Sequence, residues 1–199
     1  MKIVLIGASG TIGKAVNKEL SARHEVISVG SSSGDYQADI ADIAQVRALF
    51  EKVGKVDAVV VTAGDLHFGA LAELQPEHFQ VGIDSKLMGQ VNVAQVAQEY
   101  LNDGGSITLV SGIVADQPIR YGASATMINS AVEGYARAAA IELPRGLRIN
   151  VVSPTVLVES MEAFGPYFRG FEPAPGSRVA LAFSRSVEGA QTGQVYKVW

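Results

Sequence analysis

The 199-residue chain contains no cysteine. Disulfides and thiolate metal ligands are therefore excluded, and the absence accords with a reducing compartment, the cytoplasm. Histidine is scarce: His24, His67 and His78 are scattered without metal-ligand spacing, so no metal centre is expected. There is no basic run and no basic stripe interleaved with aromatics. With 16 basic and 20 acidic residues the formal net charge is −4, which argues against a nucleic-acid partner. Long apolar runs are missing too. The first, Ile3 to Ile6, ends at Gly7 and is too short for a signal peptide, and no later stretch has the length of a membrane span. What remains, 48% hydrophobic and 18% charged residues, is the composition of a globular domain occupying residues 1–199 with one full core.

The most informative segment is Lys-Ile-Val-Leu-Ile-Gly-Ala-Ser-Gly-Thr-Ile-Gly at residues 2–13. Its branched apolar run predicts a strand buried on both faces, and Thr11 to Leu20 has the composition of a helix. Between them Gly7, Gly10 and Gly13 recur every third residue. Gly7 permits a tight turn, Gly10 a close approach of backbone to ligand, and Gly13 close helix–strand packing. Placed between strand and helix, such a turn points N–H groups and the positive end of a helix dipole at a diphosphate. A dinucleotide-binding turn is expected.

Strand and helix signals then alternate. Glu25–Val29 and Tyr36–Ile40 read as strands. Asp42 caps a predicted helix over Ile43–Val53, whose Val46, Leu49 and Phe50 share a face. Val56–Thr62 is a buried strand. Pro76 opens a helical region reaching about Leu101, with a break near Gly82. Ser106–Val110 is a strand, Ala123–Leu143 an alanine-rich helix, Leu147–Val152 a strand, Ser177–Val187 a helix and Gln194–Val198 a last strand. This order predicts an α/β fold: a single-domain Rossmann-type, doubly wound parallel sheet of about seven strands with helices on both faces. Ligands of such sheets bind beyond the carboxyl ends of the strands, so the loops after Ile6, Val29, Thr62, Val110 and Val152 should converge.

The glycine turn, Asp39-Ile40, Thr62-Ala63-Gly64, Ser111, Arg148-Ile149-Asn150, Ser153-Pro154-Thr155 and the closing Thr192-Gly193-Gln194-Val195-Tyr196 occur in the order found in the short-chain dehydrogenase/reductase family, which the chain resembles over nearly its whole length. The resemblance implies that Gly7, Ser9, Gly10, Thr11, Ile12 and Gly13 surround a pyrophosphate. It places Asp39 and Ile40 by the adenine, Ala63 and Gly64 by the adenosine ribose, and Pro154 to Val156 by the nicotinamide. Asp39 equally suits a turn cap, and Pro154 a strand end. At the end of the second strand, where an NAD site carries a carboxylate, stand Gly30, Ser31, Ser32 and Ser33, with the first acid at Asp35. Hydroxyls there suit a 2′-phosphate, so NADP is expected ahead of NAD, although no arginine completes a clamp.

The family's general-acid Tyr, the Lys four residues later, an upstream Ser and an Asn on the preceding helix are not all present. Aligned from Ala131-Val132-Glu133-Gly134, the Tyr position holds Ala125 and the Lys position Asn129. Tyr121 lies one helical turn before Ala125 and would enter the crevice if the helix started early. Lys86 occupies the place of the family's Asn, which makes Lys86 and Asn129 a reciprocal exchange of ammonium and amide. The alternative is a solvated Lys86 and a loop Tyr121. Ser111, at a strand end before Gly112, is placed to bond a substrate carbonyl. Two functions follow: an NADP-dependent oxidoreductase acting on a carbonyl or alcohol, with Ser111, Tyr121 and Lys86 as its catalytic residues, or a catalytically silent dinucleotide-binding sensor or scaffold. Phe164, Tyr167, Phe168 and Phe171 form either an aromatic lid over a small-molecule substrate or ordinary core. The small residues of the Ala123–Leu143 helix suit a homodimer or homotetramer interface, or packing on the chain's own sheet.

Overall fold

The computed structural model describes residues 1–199. Seven parallel strands make one sheet: β1 (Lys2–Ile6), β2 (Glu25–Gly30), β3 (Tyr36–Gln37), β4 (Val56–Val61), β5 (Leu101–Val110), β6 (Arg148–Pro154) and β7 (Val195–Val198), in spatial order β3-β2-β1-β4-β5-β6-β7. Strand order reverses between β1 and β4, and the crevice lies beyond their carboxyl ends. The helices are α1 (Thr11–Leu20), α2 (Ile43–Val53), α3 (Pro76–Gly82), α4 (Gly89–Tyr100), α5 (Ala123–Glu142), the single turn α6 (Met161–Phe164) and α7 (Gly176–Glu188). None is long and apolar enough to cross a membrane.

Alternation along each strand divides the core in two. Val4 and Ile6 point to the face covered by α2, α4 and α5, where Phe50, Val93 and Val132 pack. Ile3 and Leu5 point to the face covered by α1 and α7, where Leu20 and Phe183 pack. The helix over Ile43–Val53 forms where its apolar spacing predicts, and the Asp42 carboxylate accepts the Ala44 N–H at 2.9 Å. Three elements differ from expectation. The third strand stops at Gln37, because the Asp39 side chain accepts the Ala41 N–H and turns the chain. The fifth strand starts at Leu101 rather than Ser106: Leu101 pairs with Val56 across a register shift. The break near Gly82 is no gap but a π-helical stretch, Ile83–Met88, joining α3 to α4.

Candidate active site

The turn after β1 is built around its glycines. Gly7 takes φ +86°, a left-handed conformation that favours glycine, and its N–H is donated to Val29 O at 2.8 Å. The Thr62 hydroxyl, at the end of β4, donates to the carbonyls of Ile6 and Gly7 at 3.0 and 3.1 Å and fixes the turn to the next strand. A Cβ on Gly13 would collide with the Gly7 carbonyl, so this glycine lets α1 approach the turn. Gly10 is different: a Cβ there would meet only Gly7 O, at 3.4 Å, leaving the space before it open. α1 begins without a side-chain cap or an acidic residue in its first turn, so its leading N–H groups face the crevice unshielded. A diphosphate fits this cradle.

Ser31 and Ser32 are exposed in the loop after β2. Gly30, the last residue of β2, cannot carry a side chain, since a Cβ would lie 2.7 Å from Ser33 O. The carboxylate of Asp35 folds back to accept the Ser28 N–H and hydroxyl at 2.8 and 2.7 Å, and those bonds hold it below the ordinary carboxyl pKa. Asp39 caps its own turn, as above, and buried Ile40 packs where Gly89 leaves room for it. Half-buried Ala63 packs on the core beneath the crevice.

Between the ends of β4, β5 and β6 lies a cavity of about 380 Å³. Ile12, Gly64, Pro154 and Val156 line it, with Phe68, Phe164 and Phe168 as its aromatic wall. The polar side chains facing it include Lys86, Ser111, Asn129 and Thr155. The structure thus brings Lys86 and Asn129, from different elements, into one space. Lys86 sits in the π-helical stretch, and Gly64 (φ +132°) makes room for it: a Cβ there would press on Lys86 Cα at 2.7 Å. Such widened turns are often found at functional sites. The Lys86 side chain is buried, with one hydrogen bond, to Ser111 O at 3.4 Å. Burial lowers its pKa from the ordinary 10.5 to about 8, because a desolvated ammonium is costly.

Ser111 has a partner that sequence reasoning missed. Its hydroxyl donates to the Glu133 carboxylate at 2.8 Å, with both residues buried. An acid in an alanine-rich helix reads as solvated, and nothing in the spacing signals Ser111 across from it. Asn129 donates its Nδ2 to Ala125 O at 2.9 Å, leaving Oδ1 buried and without a partner.

Tyr121 is not brought to this group. α5 starts only at Ala123, so the extra turn that would carry the phenol inward does not form. Instead Tyr121 adopts φ +67°, 37% exposed, with its ring edge-on to Tyr167 and under the Arg120 guanidinium. It does not line the cavity, and Ala125, one helical turn further on, is fully buried. Of the four aromatics after β6, Phe164 and Phe168 line the cavity and Phe171 packs edge-on to Phe168, while Tyr167 is exposed.

A family model described as enoyl-(acyl carrier protein) reductase matches residues 7–198. An uncharacterized oxidoreductase of Methylorubrum extorquens is 30% identical over 179 residues, 78% of this chain and 72% of that protein. Tetrahydroxynaphthalene reductase PfmaG of Pestalotiopsis fici is 35% identical over 158 residues, and there the match spans only 56% of the longer protein. Among solved structures, a Listeria innocua protein is 52% identical with a TM-score of 0.98 and full coverage of both chains. A small-chain dehydrogenase in complex with NADPH is 26% identical with a TM-score of 0.88, covering 100% of this chain and 96% of that one. The sheet order, the glycine turn and these matches agree, and the chain belongs to the short-chain dehydrogenase/reductase family.

Proposed function

We propose that the protein is an NADP(H)-dependent oxidoreductase acting on a carbonyl–alcohol pair, with Lys86 in place of the family's tyrosine as the group that exchanges the proton. The observation that carries this reading is a buried ammonium of pKa about 8 on the wall of the cavity, bonded to Ser111 O, in a space that Asn129 also lines. When bound, the nicotinamide supplies or accepts the hydride. Lys86 Nζ gives its proton to the carbonyl oxygen as negative charge grows there, or, unprotonated, takes one from an alcohol. An acid–base group works best with a pKa near the working pH, which an ordinary lysine lacks. Asn129 Oδ1 has no partner in the protein and would be available to accept from a hydroxyl of a bound cofactor. The aromatic wall keeps water from the reacting carbon. Self-association would use the outer face of α5, where Gly134 borders open space and Ile141 is 87% exposed.

NADPH fluorescence titration followed by a panel of ketones and aldehydes tests the proposal. Binding with no oxidation by any carbonyl would favour the silent sensor. With a substrate in hand, kcat/KM for reduction should hold steady at neutral pH and fall above about pH 8, where Lys86 loses its proton. Oxidation should run oppositely, rising with pH and levelling above that value. A reductive profile flat to pH 10 would remove Lys86 from the role.

Support for NADP over NAD comes from the NADPH-bound relative and from the serine loop, where Gly30 carries no carboxylate and that of Asp35 is turned back onto Ser28. Ser31→Asp should weaken NADPH by about tenfold or more through like-charge repulsion while sparing NADH. Equal losses for both cofactors would detach that loop from the 2′ position.

A further inference from the structure

Glu133 fixes the polarity of the site. A serine hydroxyl has one proton to give and accepts through its lone pairs. At Ser111 that proton is donated to Glu133 Oε1 at 2.8 Å, inside the protein, and the second carboxylate oxygen lies 3.8 Å from Arg137 Nη1. Turning the hydroxyl toward a substrate carbonyl would strip a buried carboxylate of its donor, which folding strongly disfavours. Ser111 therefore shows the cavity an acceptor, as Asn129 does through Oδ1. The one charged donor on the wall is Lys86, and the Thr155 hydroxyl, also without a partner, is free to serve either way.

We infer that Glu133 is a positioning residue which makes the site selective for substrates bearing a hydroxyl next to the reacting carbonyl, that is, hydroxyketones and the vicinal diols they become. The carbonyl oxygen meets the Lys86 ammonium while the neighbouring hydroxyl donates to Ser111 Oγ. A plain ketone leaves that acceptor unanswered, and rejection of a ligand lacking an expected hydroxyl is the stronger form of discrimination. This inference rests on the oxidoreductase reading, since it requires the reacting oxygen to lie at Lys86.

The test is a pair of dissociation constants, measured by calorimetry on the NADPH-loaded protein with alcohols that cannot react with the reduced cofactor. Styrene glycol and α-methylbenzyl alcohol differ by one hydroxyl, and their aromatic ring suits a wall containing Phe68, Phe164 and Phe168. The diol should bind about tenfold tighter, the worth of one well-placed hydrogen bond. Ser111→Ala should collapse that ratio to near one, and Glu133→Leu, which leaves the Ser111 proton free to turn to the ligand, should let acetophenone, an acceptor only, bind the NADP-loaded protein about tenfold tighter than the parent does. Circular dichroism and melting of both variants establish that they are folded. Equal binding of the two alcohols by the unaltered protein, or an undiminished ratio in Ser111→Ala, overturns the inference and leaves the oxidoreductase reading standing. Failure of both alcohols to bind beside intact NADPH binding, together with an inactive carbonyl panel, overturns both.

Discussion

Replacing Lys86 with methionine should raise the melting temperature at pH 7 while removing turnover. The side chain is buried, and its pKa of about 8 against the ordinary 10.5 measures what burial costs the charged form, roughly 3 kcal/mol at neutral pH. A single hydrogen bond to Ser111 O, at a long 3.4 Å, offsets little of that. Methionine keeps the unbranched shape without the charge. With two or more kcal/mol recovered, a domain of this length should melt about 5 °C higher. If Lys86 exchanges the proton, the same change should lower kcat/KM by about 10²–10⁴-fold, the usual weight of a general acid.

The gain should also depend on pH in a set direction. Below about pH 8 the lysine is charged in both folded and unfolded chains, and the burial cost is felt in full. Between about 8 and 10.5 the unfolded chain binds more protons than the folded one, so the unaltered protein gains stability as pH rises. The advantage of Lys86→Met should therefore shrink across that window, as melting scans at pH 7, 9 and 10 would show. A variant less stable than its parent at pH 7 would mean that the ammonium is held by favourable interactions, and the case for a poised acid would lose its physical basis. Stability given up at a site where function needs a strained group is a common exchange.

Why Lys86 could be suspected from the sequence but not placed there has a local cause. Its position in the pattern marks it as standing where the family keeps an amide, yet whether it is solvated depends on the π-helical stretch Ile83–Met88 and on Gly64 beneath it. Neither is written in hydrophobic spacing. Local signals carried the rest of the scaffold: Asp42 capping Ile43–Val53, the apolar run Val56–Val61, and the glycines after Ile6. Where partners distant in sequence decide, reading failed. Leu101 joins β5 because Val56 is available to pair with it, and Glu133 is buried because Ser111 donates to it from another element. Tyr121 turned on a single residue: Gly122, rather than an earlier position, flanks the start of α5, and the phenol stays outside the cavity against Tyr167.

The glycine turn allows the fold and the ligand site to be tested apart, because Gly13 and Gly10 are glycine for different reasons. At Gly13 a methyl group would strike the Gly7 carbonyl, which belongs to the turn itself and cannot swing aside. Gly13→Ala must push α1 off β1, loosening the buried Val16 and Leu20 from the sheet, and should cost stability and dinucleotide binding together. Gly10 has φ −72° and ψ 172°, which alanine adopts freely, and its Cβ would rest at ordinary contact distance from the same carbonyl. Gly10→Ala should therefore melt within a few degrees of the parent. The added methyl would nonetheless stand in the open space where a diphosphate must come against the first N–H groups of α1. NADPH affinity should fall by about a hundredfold, close to 3 kcal/mol. Should Gly10→Ala bind NADPH as tightly as the parent, the diphosphate does not lie against this turn. Unaltered melting with lost binding would assign the open face of Gly10 to the ligand and the closed face of Gly13 to the fold.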